Sequence, residues 1–280
     1  MSKATFHIPD DQGKLYEVIK YPAGEIQTRL TAAGIESLVK SGVCWYEIEA
    51  NPIPDVIELA QLANAINGVR KFIIRSLFLP YLPYGRADRR FMAGDCDGLD
   101  VFMSLVKTMD FTTIFTFDIH NVESAKKYRI VNLEPTSNIA PFEQVKAMIR
   151  ELGKQDLVLV IPDEGSKNRY AWSNYGLPTL QASKKRDPKT GKLSGFKIPN
   201  EIKKYDKALI VDDICDGGGT FVGLADEILR KNPDIRLALF VSHGIFSQGI
   251  DRLLGRFEMV GISDYSIRTP ESTNSEWEKI

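Results

Sequence analysis

Short apolar runs alternate along the chain with longer stretches in which apolar residues recur every three or four positions. The first pattern is typical of strands buried in a parallel sheet, and the second is typical of amphipathic helices. Their alternation predicts an α/β fold with mainly parallel sheets flanked by helices. The predicted strands are 71–79, 113–117, 156–161, 208–211, 237–241 and 259–262, and the predicted helices are 54–66, 98–109, 141–152 and 220–231.

The same order of strands and helices occurs in both halves of the chain, which predicts two tandem α/β domains. A boundary is predicted near 132–141, where two prolines interrupt a stretch of little periodicity. The predicted domains are therefore 1–135 and 136–280. A second irregular stretch, at 184–200, is rich in Lys, Gly and Pro. It predicts a long loop, and long loops in compact domains are commonly lids or disordered segments.

The segment from Ala208 to Phe221 carries the strongest chemical signal. An apolar run leads into Asp212 and Asp213 and then into a glycine-rich turn that begins a helix. Carboxylates at the end of a buried strand are suited to accept hydrogen bonds from two adjacent ribose hydroxyls, directly or through a cation. The bare amides of glycines 217–219 at a helix N-terminus favour a phosphate. The segment therefore predicts a site for a ribose 5-phosphate group.

Other interpretations of this segment fit less well. A plain turn does not require two acids after a buried strand, since a charge there costs stability unless it has a partner. A Walker motif requires Lys followed by Ser or Thr after the glycines, and a Rossmann fingerprint requires spaced glycines, and neither pattern occurs in this segment. The segment instead resembles the phosphoribosyl pyrophosphate (PRPP) signature of type I phosphoribosyltransferase folds.

A cluster of arginines follows the predicted strand 71–79. Arg86, Arg89 and Arg90 surround Asp88. A guanidinium group binds phosphate through paired hydrogen bonds, and its face can stack on a base. Arginine clusters are more often solvated or salt-bridged, but a position at the carboxyl end of a parallel strand favours a ligand site. The cluster is therefore a candidate phosphate-binding segment.

Two candidate metal ligands also follow predicted strands. His120 comes after the strand 113–117, and Asp163 comes after the strand 156–161. An imidazole nitrogen and a carboxylate can help to hold Mg²⁺, which usually keeps several waters and bridges substrate phosphates. A single His is more often a structural residue, but Asp118 lies two positions before His120 and the predicted strand ends there.

Composition places the chain among ordinary globular proteins. It has 280 residues, 36 Lys and Arg against 37 Asp and Glu, and a net charge of −1, so no bulk charge attracts nucleic acid or an anionic membrane. The three cysteines have no metal-type spacing, and no apolar run is long enough for a signal peptide or a membrane span. We therefore expect a reducing, cytoplasmic location.

Taken in order along the chain, these motifs resemble those of the PRPP synthetase (ribose-phosphate pyrophosphokinase) family over about 21–267. The segment 80–90 is similar to the family's ATP-binding segment, and 118–120 to its metal-histidine strand. Ser183-Lys-Lys-Arg186 is similar to its catalytic flexible loop, and 211–220 to its ribose-phosphate site. By this resemblance both domains have the type I phosphoribosyltransferase fold, the protein requires Mg²⁺, and subunits form a homo-oligomer, a dimer or a dimer-based ring.

The resemblance also implies a role for each candidate residue. The catalytic group is Lys184, Arg186 and His120, and the metal group is His120 and Asp163. The ATP-binding residues are Tyr21, Glu25, Arg86, Asp88 and Arg89, and the ribose-phosphate residues are Asp212, Asp213, Asp216, Gly217, Gly218, Gly219 and Thr220.

The implied reaction moves the β,γ-diphosphate of ATP to the anomeric hydroxyl of ribose 5-phosphate and releases AMP. Three alternatives stay open: the same transfer onto a larger acceptor such as ADP-ribose, a base-transferring phosphoribosyltransferase, and a non-catalytic regulator of a true synthetase. Ala23 stands where the family has an acid, and Ala87 stands where it usually has Gln. These two departures bear on how adenine is recognised, and the triple glycine leaves room for a larger acceptor.

Overall fold

A computed structural model describes residues 4–7, 15–40, 45–50, 55–71, 74–90, 92–133, 140–167, 172–186 and 193–263. The chain divides into two compact units, Met1–Leu133 and Glu134–Ile280. The boundary predicted between 135 and 136 stays a prediction, because residues 134–139 lie outside the described residues. Over the described residues, no helix combines the length and the apolar character needed to cross a membrane.

The first unit is built on a sheet of five strands with the order β1-β4-β5-β6-β7. The four strands from β4 to β7 are parallel, and β1 is antiparallel to β4. A separate antiparallel hairpin joins β2 to β3. The strands are β1 (Ala4–His7), β2 (Tyr16–Lys20), β3 (Ile26–Leu30), β4 (Trp45–Ala50), β5 (Ile74–Leu79), β6 (Thr113–Phe117) and β7 (Ile130–Leu133), and the helices are α1 (Ala32–Lys40), α2 (Val56–Val69), α3 (Gly98–Lys107) and α4 (Val122–Tyr128).

The second unit is built on a sheet of five parallel strands with the order β14-β13-β12-β8-β9. Its strands are β8 (Leu157–Ile161), β9 (Thr179–Gln181), β10 (Ser183–Arg186), β11 (Leu193–Lys197), β12 (Lys207–Cys215), β13 (Arg236–Gly244) and β14 (Met259–Ile262). Its helices are α5 (Ala140–Leu152), α6 (Glu164–Lys167), α7 (Gly219–Lys231) and α8 (Asp251–Leu254), with 3₁₀ turns at Trp172–Tyr175 and Asn200–Lys204.

The two sheets confirm the predicted repeat of elements. Four parallel strands run in chain order across each sheet, β4 to β7 in the first unit and β8, β12, β13 and β14 in the second. In the second unit, apolar side chains from both faces of the sheet are buried, in one cluster that includes α7 and another that includes α5. Burial on both faces explains why these strands appear in the sequence as continuous apolar runs.

The prediction of a long loop at 184–200 is wrong. Within it, β10 and β11 form an antiparallel hairpin, and a 3₁₀ turn begins at Asn200. The hairpin is anchored by Phe196, which is 5% exposed. Phe196 lies so close to Gly223 of α7 that a Cβ at that glycine would be 2.7 Å from the ring. The tip of the hairpin, 187–192, lies outside the described residues.

Candidate functional site

The sequence predicted that Asp212 and Asp213 follow the end of a strand. In the structure they lie inside it. β12 pairs with β8 as far as Ile210, but it pairs with β13 as far as Cys215. The strand is longer than predicted because β13 continues to provide a partner beyond the last pair with β8. The two acids are therefore on the part of β12 that extends past β8, and they are 8% and 3% exposed. Carboxylates this buried cost stability unless other groups compensate their charge.

The glycine-rich turn after β12 ends in a helix terminus that lacks a side-chain cap. α7 begins at Gly219, and the capping position is Gly218, which makes no side-chain hydrogen bond to the helix. The first amide groups of a helix have no acceptor within the helix, and the helix dipole makes this end positive. An uncapped N-terminus beside a strand that carries two acids can bind a phosphate at one end of a sugar and hydroxyls at the other.

Side chains from a later part of the chain hold this turn in place. The Arg252 guanidinium donates a hydrogen bond of 2.7 Å to the Gly217 carbonyl, and the Ser247 hydroxyl donates one to the Asp216 carboxylate. The sequence analysis missed Arg252 and Ser247, because they lie more than 30 residues after the residues that they contact. No local pattern links such residues to the motif.

We expect Gly218→Ala to destabilise the protein and Gly219→Ala not to. Gly218 has a φ of 74°, and its Cβ would lie 3.3 Å from Leu253, whereas a Cβ at Gly219 would meet nothing within 4 Å. A non-glycine residue at a strained φ costs about 1–3 kcal/mol. Urea unfolding of both variants measures the difference. Equal stabilities of the two variants would show that the turn does not need its left-handed residue.

Lys184, Asp163 and Ser166 form a connected group in the second unit. The Lys184 ammonium donates to Asp163 Oδ2 at 2.8 Å, and the Ser166 amide donates to Asp163 Oδ1 at 3.0 Å. Burial raises the pKa of the Asp163 carboxyl, but the hydrogen bonds from Lys184 and Ser166 outweigh it and keep this pKa below its usual range. Asp163 is thus held as an anion, with the predicted catalytic lysine as its counter-ion.

The Ser166 hydroxyl connects this group to the acids of β12. Ser166 Oγ is 2.7 Å from Asp212 Oδ1 and 3.2 Å from Asp163 Oδ1. The structure therefore brings together Lys184, Asp163 and Asp212, three residues that the sequence assigned to three different motifs. Ser166 itself was not assigned a role. The sequence did contain a local signal for it, because Ser166 follows Asp163 by three residues. At this spacing the carboxylate of a capping residue can accept a hydrogen bond from a backbone amide.

The Cys215 thiol at the end of β12 is not suited to act as a nucleophile. Burial, and next the negative charges of Asp216 and Asp212, raise the pKa of Cys215 to about 12. The thiolate is the reactive form of cysteine, so this thiol is inert near neutral pH. The chemistry of this edge of the sheet therefore depends on carboxylates, amides and the lysine.

In the first unit, the predicted ATP-binding segment contacts the turn that carries His120. Asp88 accepts hydrogen bonds from Arg89, at 2.9 Å, and from the Asn121 amide. Burial raises the pKa of Asp88, but these hydrogen bonds outweigh it and keep the pKa below its usual value. Asn121 also caps α4 and is the residue directly after His120. Asp88 thus ties the segment after β5 to the segment after β6.

The other predicted residues of the first unit lie on its surface. His120 and Arg86 are exposed, while Asp118, at the turn after β6, is 2% exposed and has a φ of 44°. Tyr21 and Glu25 lie at the tip of the β2–β3 hairpin, where the Tyr21 amide donates to the Glu25 carbonyl at 2.9 Å. The Tyr21 hydroxyl donates a hydrogen bond of 2.6 Å to Gln27 on β3, whereas Arg89 is linked through Asp88 to Asn121, the residue after His120.

The donor atoms available for Mg²⁺ fit a site completed by water and substrate. Among the described residues, no group of three or more His, Cys, Asp or Glu side chains is arranged to hold a metal ion. Mg²⁺ usually keeps several waters and takes only one or two carboxylates plus substrate phosphates. Asp163 suits such a role because its carboxylate already binds a cation, the Lys184 ammonium.

The candidate metal and catalytic residues come from both units. His120 belongs to the first unit and Asp163 to the second. Lys184 and Arg186 both lie on β10. Of these two side chains, the structure describes that of Lys184.

Comparisons with known proteins support the resemblance predicted from the motifs. No family model matches the chain. A ribose-phosphate pyrophosphokinase of Pyrococcus furiosus is 28% identical over 264 residues, which cover 91% of this chain and 87% of that protein. The corresponding protein of Thermococcus kodakarensis is 28% identical over 261 residues with the same coverage, and that of Mycoplasma pneumoniae is 26% identical over 263 residues, 90% of this chain and 77% of that protein.

The fold also matches a solved structure. The crystal structure of phosphoribosylpyrophosphate synthetase from Mycobacterium smegmatis superposes with a TM-score of 0.73, at 17% identity, over 95% of this chain and 85% of that chain. This match confirms the predicted fold class, an α/β protein with two tandem phosphoribosyltransferase-like sheets. The relatives confirm the predicted family resemblance over nine tenths of the chain.

Proposed function

We propose that this chain, a relative of the ribose-phosphate pyrophosphokinases, transfers the β,γ-diphosphate of ATP to the anomeric hydroxyl of ribose 5-phosphate. The products are PRPP and AMP. The observation that carries the proposal is the pairing of Asp212 and Asp213 on β12 with the uncapped N-terminus of α7 directly after them. In the same unit, a single hydroxyl group connects the Lys184–Asp163 ion pair to Asp212.

The acceptor is proposed to bind along the β12–α7 segment. Amides of Gly217, Gly218, Gly219 and Thr220 take the 5-phosphate, because a helix N-terminus with no side-chain cap offers donors and positive potential. Asp212 and Asp213 accept hydrogen bonds from the ribose hydroxyls, and Asp216 borders the turn. This arrangement holds the sugar at both ends, so the anomeric hydroxyl has one orientation when the donor arrives.

The donor is proposed to bind through the arginine segment of the first unit, with Tyr21 and Glu25 contacting the base. Arg86 and Arg89 hold the phosphates through paired hydrogen bonds, and Asp88 orients Arg89. Mg²⁺ would neutralise charge on the transferred group, and its proposed protein ligands are Asp163 in the second unit and His120 in the first, with water and the phosphates as further ligands. Lys184 would leave Asp163 and, with Arg186, stabilise the charge that develops on that group. We also propose a homo-oligomeric assembly, which the resemblance implies.

The proposal is tested by identifying the products. The protein is incubated with Mg-ATP and ribose 5-phosphate, and the mixture is resolved by mass spectrometry and phosphorus NMR. We expect AMP and a diphosphate on the anomeric carbon in equal amounts. Release of pyrophosphate when PRPP and a base are supplied would identify a base-transferring enzyme instead. Absence of AMP with every acceptor, together with tight association with an active synthetase, would identify a regulator.

ADP-ribose is a second candidate acceptor. A Cβ at Gly219 would meet nothing within 4 Å, so there is open space where the 5-phosphate is proposed to bind. An acceptor that continues beyond this phosphate needs such space. The same incubation with ADP-ribose decides between the two, since the diphosphate then adds to a molecule of different mass. Product from ribose 5-phosphate alone would exclude the larger acceptor.

A further inference from the structure

Ser166 occupies a buried position between two carboxylates that come from distant parts of the chain. It lies on α6 and is 1% exposed. Its Oγ is 2.7 Å from Asp212, which is 46 residues away, and 3.2 Å from Asp163. The Trp172 indole donates hydrogen bonds to the carbonyls of Ser166 and Lys167, at 3.3 and 3.1 Å, which holds this turn in place.

A serine hydroxyl has one hydrogen, so it can donate to only one of these carboxylates at a time. The shorter distance assigns the hydrogen to Asp212. Asp163 has other donors in this state, the Ser166 amide on Oδ1 and the Lys184 ammonium on Oδ2. Because Lys184 compensates the charge of Asp163, the Ser166 hydroxyl is available to Asp212.

We propose that Ser166 is a positioning residue that orients the Asp212 carboxylate for the sugar and makes this orientation depend on the partner of Asp163. The proposal rests on the proposed function. A hydrogen bond to one oxygen of a buried carboxylate fixes the rotation of the whole group, so the sugar meets an acceptor that is already oriented. When Asp163 loses Lys184, the hydroxyl turns its hydrogen to Asp163, and Asp212 loses this hydrogen bond.

A double-mutant cycle on acceptor binding tests this dependence. Titration calorimetry with ribose 5-phosphate compares the wild type, Ser166→Ala, Lys184→Ala and the double variant, under the condition in which the wild type binds most tightly. That condition is chosen from buffers with and without Mg²⁺ and a non-hydrolysable ATP analogue. Loss of one charge-assisted hydrogen bond predicts an affinity about tenfold lower in Ser166→Ala. Because both changes remove the same donor from Asp212, we expect the double variant to bind no more weakly than Ser166→Ala.

The control is Ser173→Ala, an exposed serine in the same unit, which should bind as the wild type does. If Ser166→Ala does not fold, Ser166→Cys fills the position with a slightly larger side chain of the same shape, replaces the hydroxyl with a weak donor and is expected to show the same loss. Unchanged affinity in the folded Ser166 variant or in Lys184→Ala, or additive losses in the cycle, would overturn the proposed role of Ser166 and would not affect the proposed function. A wild type that binds neither ribose 5-phosphate nor ADP-ribose under any condition would overturn the proposed function itself.

Discussion

Replacement of Lys184 by alanine is expected to lower kcat about 100- to 1,000-fold, the usual cost of removing one donor that stabilises transition-state charge. In the structure the ammonium is bound to Asp163 at 2.8 Å. Its proposed contact with the transferred group forms only as charge develops there. An interaction made only in the transition state lowers kcat and kcat/KM together and leaves the KM for ATP nearly unchanged.

Steady-state kinetics with ATP as the varied substrate measures this effect. The matched control is Lys197→Ala, because Lys197 lies on β11, the partner strand of β10, and is exposed. We expect the control to retain wild-type kcat. A Lys184→Ala variant with unchanged kcat and a raised KM for ATP would show that the lysine contributes to ground-state binding and not to the chemical step.

Replacement of Asp212 by asparagine is expected to weaken acceptor affinity by about 10- to 100-fold, since a hydrogen bond to a charged group contributes about 1.5–3 kcal/mol. The change keeps an oxygen that can accept the hydrogen bond from Ser166 and removes the charge offered to the sugar hydroxyl. Asp212 is 8% exposed, so the carboxylate is largely out of water and its charge is weakly screened.

Titration calorimetry with ribose 5-phosphate measures the loss in Asp212→Asn. Asp234→Asn provides the control, because Asp234 is an exposed aspartate of the same unit that comes just before β13, whose first residue pairs with Lys207 and not with the part of β12 that carries Asp212. Both variants are first compared by thermal unfolding, so that a loss of affinity is not confused with a loss of fold. Wild-type acceptor affinity in a folded Asp212→Asn variant would remove Asp212 from the sugar site.

The sequence was sufficient to predict the strands and helices whose patterns are strong. The strands 113–117 and 259–262 match β6 and β14, and the helix 141–152 differs from α5 by one residue. These elements were predictable because their apolar residues form a continuous run in each strand or recur along one face of the helix. The hairpin of β10 and β11 was not, because Ser-Lys-Lys-Arg is a polar run with no alternation, and the burial of Phe196 depends on contact with Gly223 of α7.

The candidate site could be predicted only where its residues are close in sequence. Asp212, Asp213 and the three glycines form one segment, and the spacing indicated their chemistry. The end of β12 was misplaced because it depends on the length of β13, which lies about 30 residues later. The links through Ser166 and Arg252 join segments that are 46 and 35 residues apart, so they depend on the tertiary fold.

The central claim is that the segment from β12 to the start of α7 holds a pentose phosphate. A crystal structure with ribose 5-phosphate and a non-hydrolysable ATP analogue tests it most directly. The account predicts the 5-phosphate on the amides of 217–220 and two ribose hydroxyls on Asp212 and Asp213. A sugar phosphate bound elsewhere, with this segment closed by packed side chains, would contradict it.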